Sequence, residues 1–375
     1  MGHQAHDFLM ASGKLQILCY KEEVEALLRT KNFGGYQLLQ VNDFPGEGFA
    51  PVGWLNSLWE SKGYTTAKEF RRFNSPTVFL ARMDKRVFST ADSLQAEIEI
   101  AHFGAQPIQQ ARLYWKLVDT TGHVHLTGGL PCQNIPLGNG TQLGRIEIPL
   151  QVLPAPQQYK LVVGLAETEF ENDWEVWVYP AQIKARACED VLIIHEWSEL
   201  LEKASSGRKI LFVPPVDRIA GDIGFGFSTI FWNTTLTGHK PPHTMGILCD
   251  PQHPLFREFP TDFHTNWQWW ELIHHSAVMP LDCLPVGLQP LVQVIDDWFK
   301  NRRLGLIFEA KLQSASIIVC SIDLFLAGAG RLALRQFKQS LLSYMTSPAF
   351  SPKVQISQEH LQMLFRQDSG ASASC

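Results

Sequence analysis

Apolar positions recur at helical spacing from Phe8 to Arg29, where Leu9, Leu15, Ile17, Leu18, Val24, Leu27 and Leu28 alternate with a polar face of Lys21, Glu22, Glu23 and Glu25. The pattern predicts an amphipathic helix whose carboxylates face solvent, the ordinary place for charged helix residues. A short apolar run of Tyr36, Leu38, Leu39 and Val41 follows, between a glycine pair (Gly34, Gly35) and the turn residues Asp43, Pro45 and Gly46. This run predicts a core-buried parallel strand. Such a strand needs a covering sheet, and the residues ahead of it supply at most one helix. After a loop with Glu47, Trp54 and Trp59, the stretch TTAKEFRRF (Thr65 to Phe73) predicts a closing helix with a threonine cap. Helix, turn and strand make the αβ unit of a (β/α)8 barrel. Residues 1–77 are therefore expected to be the last helix-strand-helix of a TIM barrel, and the part of the chain that a protease opens first.

From Val78 to Pro180 the period changes to two. LQAEIEIAH (Leu94 to His102), LYWKLV (Leu113 to Val118), RIEIPL (Arg145 to Leu150) and YKLVVGL (Tyr159 to Leu165) place apolar residues at every second position between Gly- and Pro-rich turns. This predicts an immunoglobulin-like β-sandwich over residues 78–180. Near its end Trp174, Val176 and Val178 point one way while Trp177 and Tyr179 point the other, so at least one set is core. Residues 188–346 return to alternating α/β. Buried-strand runs stand at Val191 to Ile194, Ile210 to Val213, Gly246 to Cys249, Leu291 to Ile295, Leu304 to Phe308 and Ile317 to Ile322, with helices at Ser198 to Ala204 and Arg331 to Tyr344. A doubly wound flavodoxin-like or glutamine-amidotransferase-like domain is expected, a fold that fixes no function. Residues 347–375 read as a tail with a short helix and a disordered end.

Two groups of residues carry candidate chemistry. Gln40, Asn42 and Asp43 would stand at the carboxyl end of the predicted barrel strand, where barrel enzymes hold ligands, or would only shape the NDFPG turn. Trp267, Trp269 and Trp270, beside His264, Asn266 and Gln268, would form a carbohydrate platform or seal an interface. An amidotransferase nucleophile needs a Gly-flanked Cys elbow, and Cys249 stands instead in ILCDPQHP. The seven cysteines contain no CxxC and the thirteen histidines no ligand spacing, so neither a metal nor a cofactor is expected. GDIGFGF (Gly221 to Phe227) lacks the Lys-Ser/Thr of a phosphate loop. A net charge of -5 leaves no electrostatic footprint for nucleic acid, and no apolar run is long enough to span a membrane.

The words HDFLMASGKLQ, CYKEEVEALLRT, GGYQLLQVNDFPGEG, SKGYTTAKEFRRF and TEFENDWEVWVYP, with the Trp-rich stretch after them, resemble the C-terminal portion of a β-galactosidase-like branch of glycoside hydrolase family 2. The resemblance covers essentially the whole chain. It implies a retaining glycosidase whose acid/base and nucleophile glutamates both lie upstream of Met1, so that this chain alone contributes no catalytic residue. It departs at the final barrel strand, where many relatives have Trp and Asp and this chain has Leu38 and Leu39. It further implies carbohydrate as the partner, through a parent enzyme or a separately encoded N-terminal barrel portion. The other reading is a non-catalytic carbohydrate-binding or scaffold protein. No secretory signal opens the chain, and relatives that handle polysaccharides point to a periplasmic or surface setting for a longer parent.

Overall fold

The computed structural model describes residues 2–44, 52–182, 189–221, 223–228, 244–326 and 331–366. Glu47, Cys188, Asp222 and the expected disordered end lie outside the described residues.

Two helices, α1 (Ala5–Arg29) and α2 (Ala67–Arg71), precede eight strands. These are β1 (Thr77–Arg82), β2 (Val87–Ser89), β3 (Ser93–His102), β4 (Ile108–Asp119), β5 (Val124–Ile135), β6 (Gly138–Pro149), β7 (Gln157–Leu165) and β8 (Glu171–Tyr179). They form two sheets, ordered β1-β3-β6 and β2-β8-β7-β4-β5. Inward residues of both, such as Phe79, Ile98 and Ile148 from one and Leu117, Leu161 and Val176 from the other, share one core. The period-two alternation thus buries one face of each sheet. In β8 both faces are buried. Trp174, Val176 and Val178 enter the sandwich core, while Trp177 and Tyr179 enter the core of the α/β unit that follows.

That unit contains β9 (Val191–Ile194), α3 (Trp197–Lys203), β10 (Lys209–Phe212), β11 (Thr244–Leu248), α4 (Trp269–His274), β12 (Met279–Pro280), β13 (Pro290–Asp296), β14 (Leu304–Leu312), β15 (Ala315–Cys320), α5 (Leu332–Thr346), β16 (Gln355–Ile356) and α6 (Gln358–Gln362). The sheet runs β11-β13-β14-β15-β10-β9, with β12 and β16 attached to β14. Phe337 and Leu341 of α5 pack on one face and Leu200 of α3 and Leu361 of α6 on the other. This is general α/β architecture, and not the parallel flavodoxin-like sheet expected. Only β9, β10 and β15 run parallel to one another along this path, whereas β11, β13, β14 and β15 pair antiparallel. The reason is connection length. The links from β13 to β14 and from β14 to β15 are too short for the crossover of a dozen or more residues that parallel pairing requires.

The amino-terminal segment departs further. No (β/α)8 barrel exists among the described residues, and the expected strand at 36–41 does not form: the segment is irregular, with bends at Leu39 and Val41, and joins no sheet. Its neighbourhood supplies one parallel bridge, Asn42 with Leu55, and Leu39 is 67% exposed. Backbone groups form a strand only where partners line up beside them, and the next segment provides that at a single point. The helix at Thr65 to Phe73 is shorter than expected, but its start is as read: Thr66 and Glu69 close a reciprocal capping box.

α1 forms as the spacing predicts, yet its carboxylates do not all face water. Glu23 is exposed, whereas Glu25 is fully buried. The Glu25 carboxylate accepts from Trp174 Nε1 at 2.9 Å, Asn172 Nδ2 at 2.8 Å and Arg29 at 3.2 Å, and pairs with Lys21. Asn172 also donates to the Phe79 carbonyl at 2.8 Å, and Arg29 to that of Ala81 at 3.3 Å. One buried charge therefore ties the helix to β8 of one sheet and β1 of the other. Burial alone would raise this carboxyl, but Lys21, Trp174 and Asn172 outweigh it and hold the group below the usual glutamate range.

The other half of α1 lies on the α/β unit. Leu15 is fully buried and approaches Gly246, where β11 shifts register. A Cβ on Gly246 would stand 2.9 Å from Leu15 Cδ2 and 2.6 Å from Thr265 Oγ1, and its φ of +92° suits glycine alone. Gly13 is needed for the same kind of approach, since the ring of Tyr64 occupies the space a side chain would take. α1 is thus a brace across both units, which argues against the expectation that it opens first. Glu25→Ala is expected to lower stability by about 3–5 kcal/mol, because it strands Lys21 and Asn172 in the interior. Glu23→Ala should stay within about 0.5 kcal/mol. Denaturant titration of both variants checks the contrast.

Candidate functional site

Where α1, the sandwich and the α/β unit meet, they enclose a cleft of about 600 Å³. Its walls include Glu22 of α1, Arg82 to Arg86 at the turn between β1 and β2, and Trp267, Gln268, Trp270 and Glu271 around the start of α4. Arg86 is the pivot. Its guanidinium pairs with Glu22 at 3.0 Å and lies over the Trp267 ring, 5.7 Å from the centroid.

The three tryptophans have three different surroundings. Trp269 is fully buried against Phe259 and Phe337 and donates Nε1 to Thr261 Oγ1 at 2.8 Å, so it is core. Trp267 is half-buried, with Phe227 stacked on it at 4.7 Å in addition to Arg86. Trp270 is 46% exposed at the cleft and is steadied by His274 at 4.3 Å and Phe227 at 5.2 Å. Helical spacing explains the division, since adjacent positions on a short helix point in different directions. Beside Trp270, Glu271 pairs with Arg331 at 3.0 Å. Gln268 is buried, accepting from the Tyr179 hydroxyl and donating to the Pro260 carbonyl. His264 is half-buried, and its burial holds the imidazole pKa below its usual value, favouring the neutral form.

Glu22, Arg86 and Trp267 also line a smaller chamber of about 170 Å³. There Lys160 bridges Asp173 at 3.5 Å and Glu175 at 3.6 Å, while Arg72 binds Asp173 and Glu171, each at 2.7 Å. Of the β8 carboxyls, Asp173 and Glu175 differ. Burial pushes both upward, but Lys21, Lys160 and Arg72 hold Asp173 low. Glu175 is pushed up to about 7 by burial and by Asp262 and Asp173, against Lys160 and Arg86.

Gln40, Asn42 and Asp43 do not line these cavities. Asp43 accepts from the Gly53 backbone at 3.1 Å and pairs with Lys62 at 2.7 Å, while Gln40 reaches Asn42 at 3.5 Å. These bonds tie Asp43 to the 53–62 segment, while Pro45 and Gly46 of the expected turn lie outside the described residues. Cys249 is buried, its thiol raised by burial and donating to the Asp262 carbonyl, which is no setting for a nucleophile. Sequence reasoning missed Arg86 and Glu22 as cleft residues. Nothing in their local pattern marks them, because they meet only through the fold.

Comparisons with known proteins add little chemistry. Residues 192–366 match a family described as "Domain of unknown function (DUF8487)" and residues 92–180 one described as "Domain of unknown function (DUF8488)". No curated protein matches the chain. Among solved structures, β-glucuronidase from Parabacteroides merdae is 14% identical, covering 36% of this chain and 21% of its own, with a TM-score of 0.21. β-Glucosidase from Listeria innocua in complex with glucose is 16% identical, covering 30% and 17%, with a TM-score of 0.21. The alkylpurine DNA glycosylase AlkC of Pseudomonas fluorescens, bound to DNA containing an abasic site analog, is 12% identical, covering 28% and 31%, with a TM-score of 0.23. The chain spans less than a third of the length of each of these three proteins, and likenesses this weak carry no functional argument.

The raised Glu175 has a consequence for stability. Its folded value of about 7 lies above the 4.5 of a free glutamate, so between the two the folded chain keeps a proton that the unfolded chain releases. Stability from this group is fully present below pH 4.5 and is lost as pH rises through about 7. Melting curves at about pH 5 and about pH 8 should show a larger fall in Tm for the wild type than for Glu175→Gln. Equal falls would mean that Glu175 titrates normally.

Proposed function

We propose that this chain is a non-catalytic, carbohydrate-binding C-terminal part of a family 2 glycoside hydrolase, β-galactosidase-like in kind, whose parent hydrolyses O-glycosyl bonds. The observation that carries the reading is the exposed Trp270 in a cleft whose walls also include the charged Glu22, Arg86 and Glu271. A pyranose presents an apolar C–H face and a ring of hydroxyls. An aromatic face meets the first, while guanidinium donors and carboxylate acceptors meet the second. The resemblance of the sequence to this family supplies the substrate class.

Catalysis belongs elsewhere in this reading. Retaining chemistry needs two carboxyls about 5–5.5 Å apart and open to the glycosidic bond. Of the three cleft carboxylates, Glu22, Asp84 and Glu271, the first and last are each occupied by an arginine, which leaves no open pair among the described residues. The sandwich is immunoglobulin-like in this proposal, and residues 1–77 contribute the last αβ piece of a barrel completed by a separately encoded or upstream portion. Exposed Phe33, Leu39, Phe44, Leu58 and Trp59 favour such a covering partner.

The glycan reading separates Trp270 from Trp269. In calorimetric titrations with β-galacto-oligosaccharides, Trp270→Ala is expected to abolish binding while changing stability by no more than about 0.5 kcal/mol. Trp269→Ala is expected to remove about 3–5 kcal/mol of stability. Undiminished affinity in Trp270→Ala would end the platform assignment. The chain alone should give no turnover of aryl β-galactosides, and turnover abolished by changing a carboxylate of this chain would contradict the non-catalytic assignment.

A further inference from the structure

The chamber of about 170 Å³ beside the cleft has a chemistry of its own. It lies between α1, the segment 65–73, the strands β7 and β8, and the stretch that begins at His264. Glu22, Arg86 and Trp267 line both spaces, whereas Trp270 and Glu271 line the cleft and not the chamber. Pockets for drug-sized ligands run to about 300–1,000 Å³, so the smaller space suits one ring and not a chain.

Charge on its wall is already matched. Glu22 pairs with Arg86 at 3.0 Å, Glu69 with Lys14 at 3.6 Å and Asp173 with Arg72 at 2.7 Å, while Lys21 serves the buried Glu25. A charged ligand would break one of these pairs and leave an ion without its partner. Hydrogen-bonding capacity is not used up in the same way. The Lys160 ammonium stands 3.5 Å from Asp173 and 3.6 Å from Glu175, longer than ordinary N–H···O bonds, so its three donors are unused among the described residues. The Glu175 carboxyl accepts no hydrogen bond among the described residues, and below about pH 7 it stands largely neutral, able to donate as well as accept. His264 Nδ1 lies 2.9 Å from the Thr265 carbonyl, which can only accept. That bond puts the proton on Nδ1, so Nε2 of the neutral ring is an acceptor, with no partner among the described residues. Ile17 and Leu18 of α1 add aliphatic surface.

We propose that this chamber binds one neutral, hydroxyl-rich ring of the size of a monosaccharide, with Lys160 donating to its oxygens and His264 Nε2 accepting from a hydroxyl. Hydroxyl groups donate and accept at once, so a single such ligand answers Lys160, Glu175 and His264 together. Its C–H surface lies on Ile17 and Leu18. The ligand class follows from the chamber's own groups, and the site extends the glycan reading of the Trp270 cleft without depending on it.

The test titrates the full chain with D-galactose and, separately, D-glucose, each beside its uronate and its amino sugar, at a pH below the Glu175 value of about 7. Binding is followed by calorimetry and thermal shift. At least one of the two neutral sugars is expected to bind saturably, and more tightly than its own charged counterparts. Lys160→Met is expected to weaken it about tenfold or more, the loss of a hydrogen bond from a charged donor. Lys160 is half-buried and Arg72 keeps Asp173 paired without it, so the variant should fold. If its melting curve shows otherwise, His264→Phe serves in its place, removing the acceptor while keeping a ring, with the same loss expected. Monosaccharide binding lost in Trp270→Ala but kept in Lys160→Met would put the sugar in the cleft, overturning this inference while supporting the glycan reading there. Failure of both sugars, a charged counterpart binding as tightly as its parent, or affinity unchanged in the chamber variant would also overturn it.

Discussion

The buried carboxylate of Glu25 is the constraint on which the rest of this structure depends. An ionised group inside a protein is tolerated only when donors and opposite charge surround it, and here they come from three places. Lys21 and Arg29 are one helical turn away on either side, Asn172 and Trp174 belong to β8, and the carbonyls of β1 hold Asn172 and Arg29 in turn. The helix can sit on the sandwich in one way only. A hydrophobic contact would tolerate a small slide or rotation, whereas this network would lose its bonds. With that end fixed, Leu15 meets β11 at Gly246, and the two units are bridged by one rigid element.

The cleft is a consequence of the same joint. Glu22 reaches it because α1 is held in register by Glu25, three residues further on. Arg86 reaches it from the turn between β1 and β2, and Trp267 and Trp270 come from the α/β unit. β8 does the remaining alignment, burying Trp174 toward the sandwich and Trp177 and Tyr179 toward the α/β core. No single unit contains the cleft. Any motion of one unit against another would part Arg86 from Glu22 or from Trp267, which makes the brace a determinant of ligand geometry as well as of stability.

Local patterns made most of the elements legible. The extent of α1, the capping box at Thr66, the sandwich alternation and the six short runs of the α/β sheet all follow from periodicity and turn chemistry. Strand direction was less legible, because an apolar run looks the same in parallel and antiparallel sheets. The lengths of the links around β14 were the available clue. The run at Tyr36 to Val41 has the composition of a buried strand, but composition cannot supply a partner. For Glu25, a signal existed: Lys21, Glu25 and Arg29 are spaced by four, the pattern of a carboxylate held between two cations. Exposed helix pairs have the same spacing, so burial became visible only with Trp174 in place. The Trp-rich stretch combined core and surface roles within adjacent residues, a division that needs the helix direction as well as the sequence.

Native-state hydrogen exchange of α1 tests the brace most directly. If Glu25 and Leu15 fix the helix to both units, the amides around Leu15 and Val24 should open only with the free energy of β8 and β11, and together with them. Exchange through α1 at a free energy far below that of both strands would show a helix that detaches on its own, and would contradict the account.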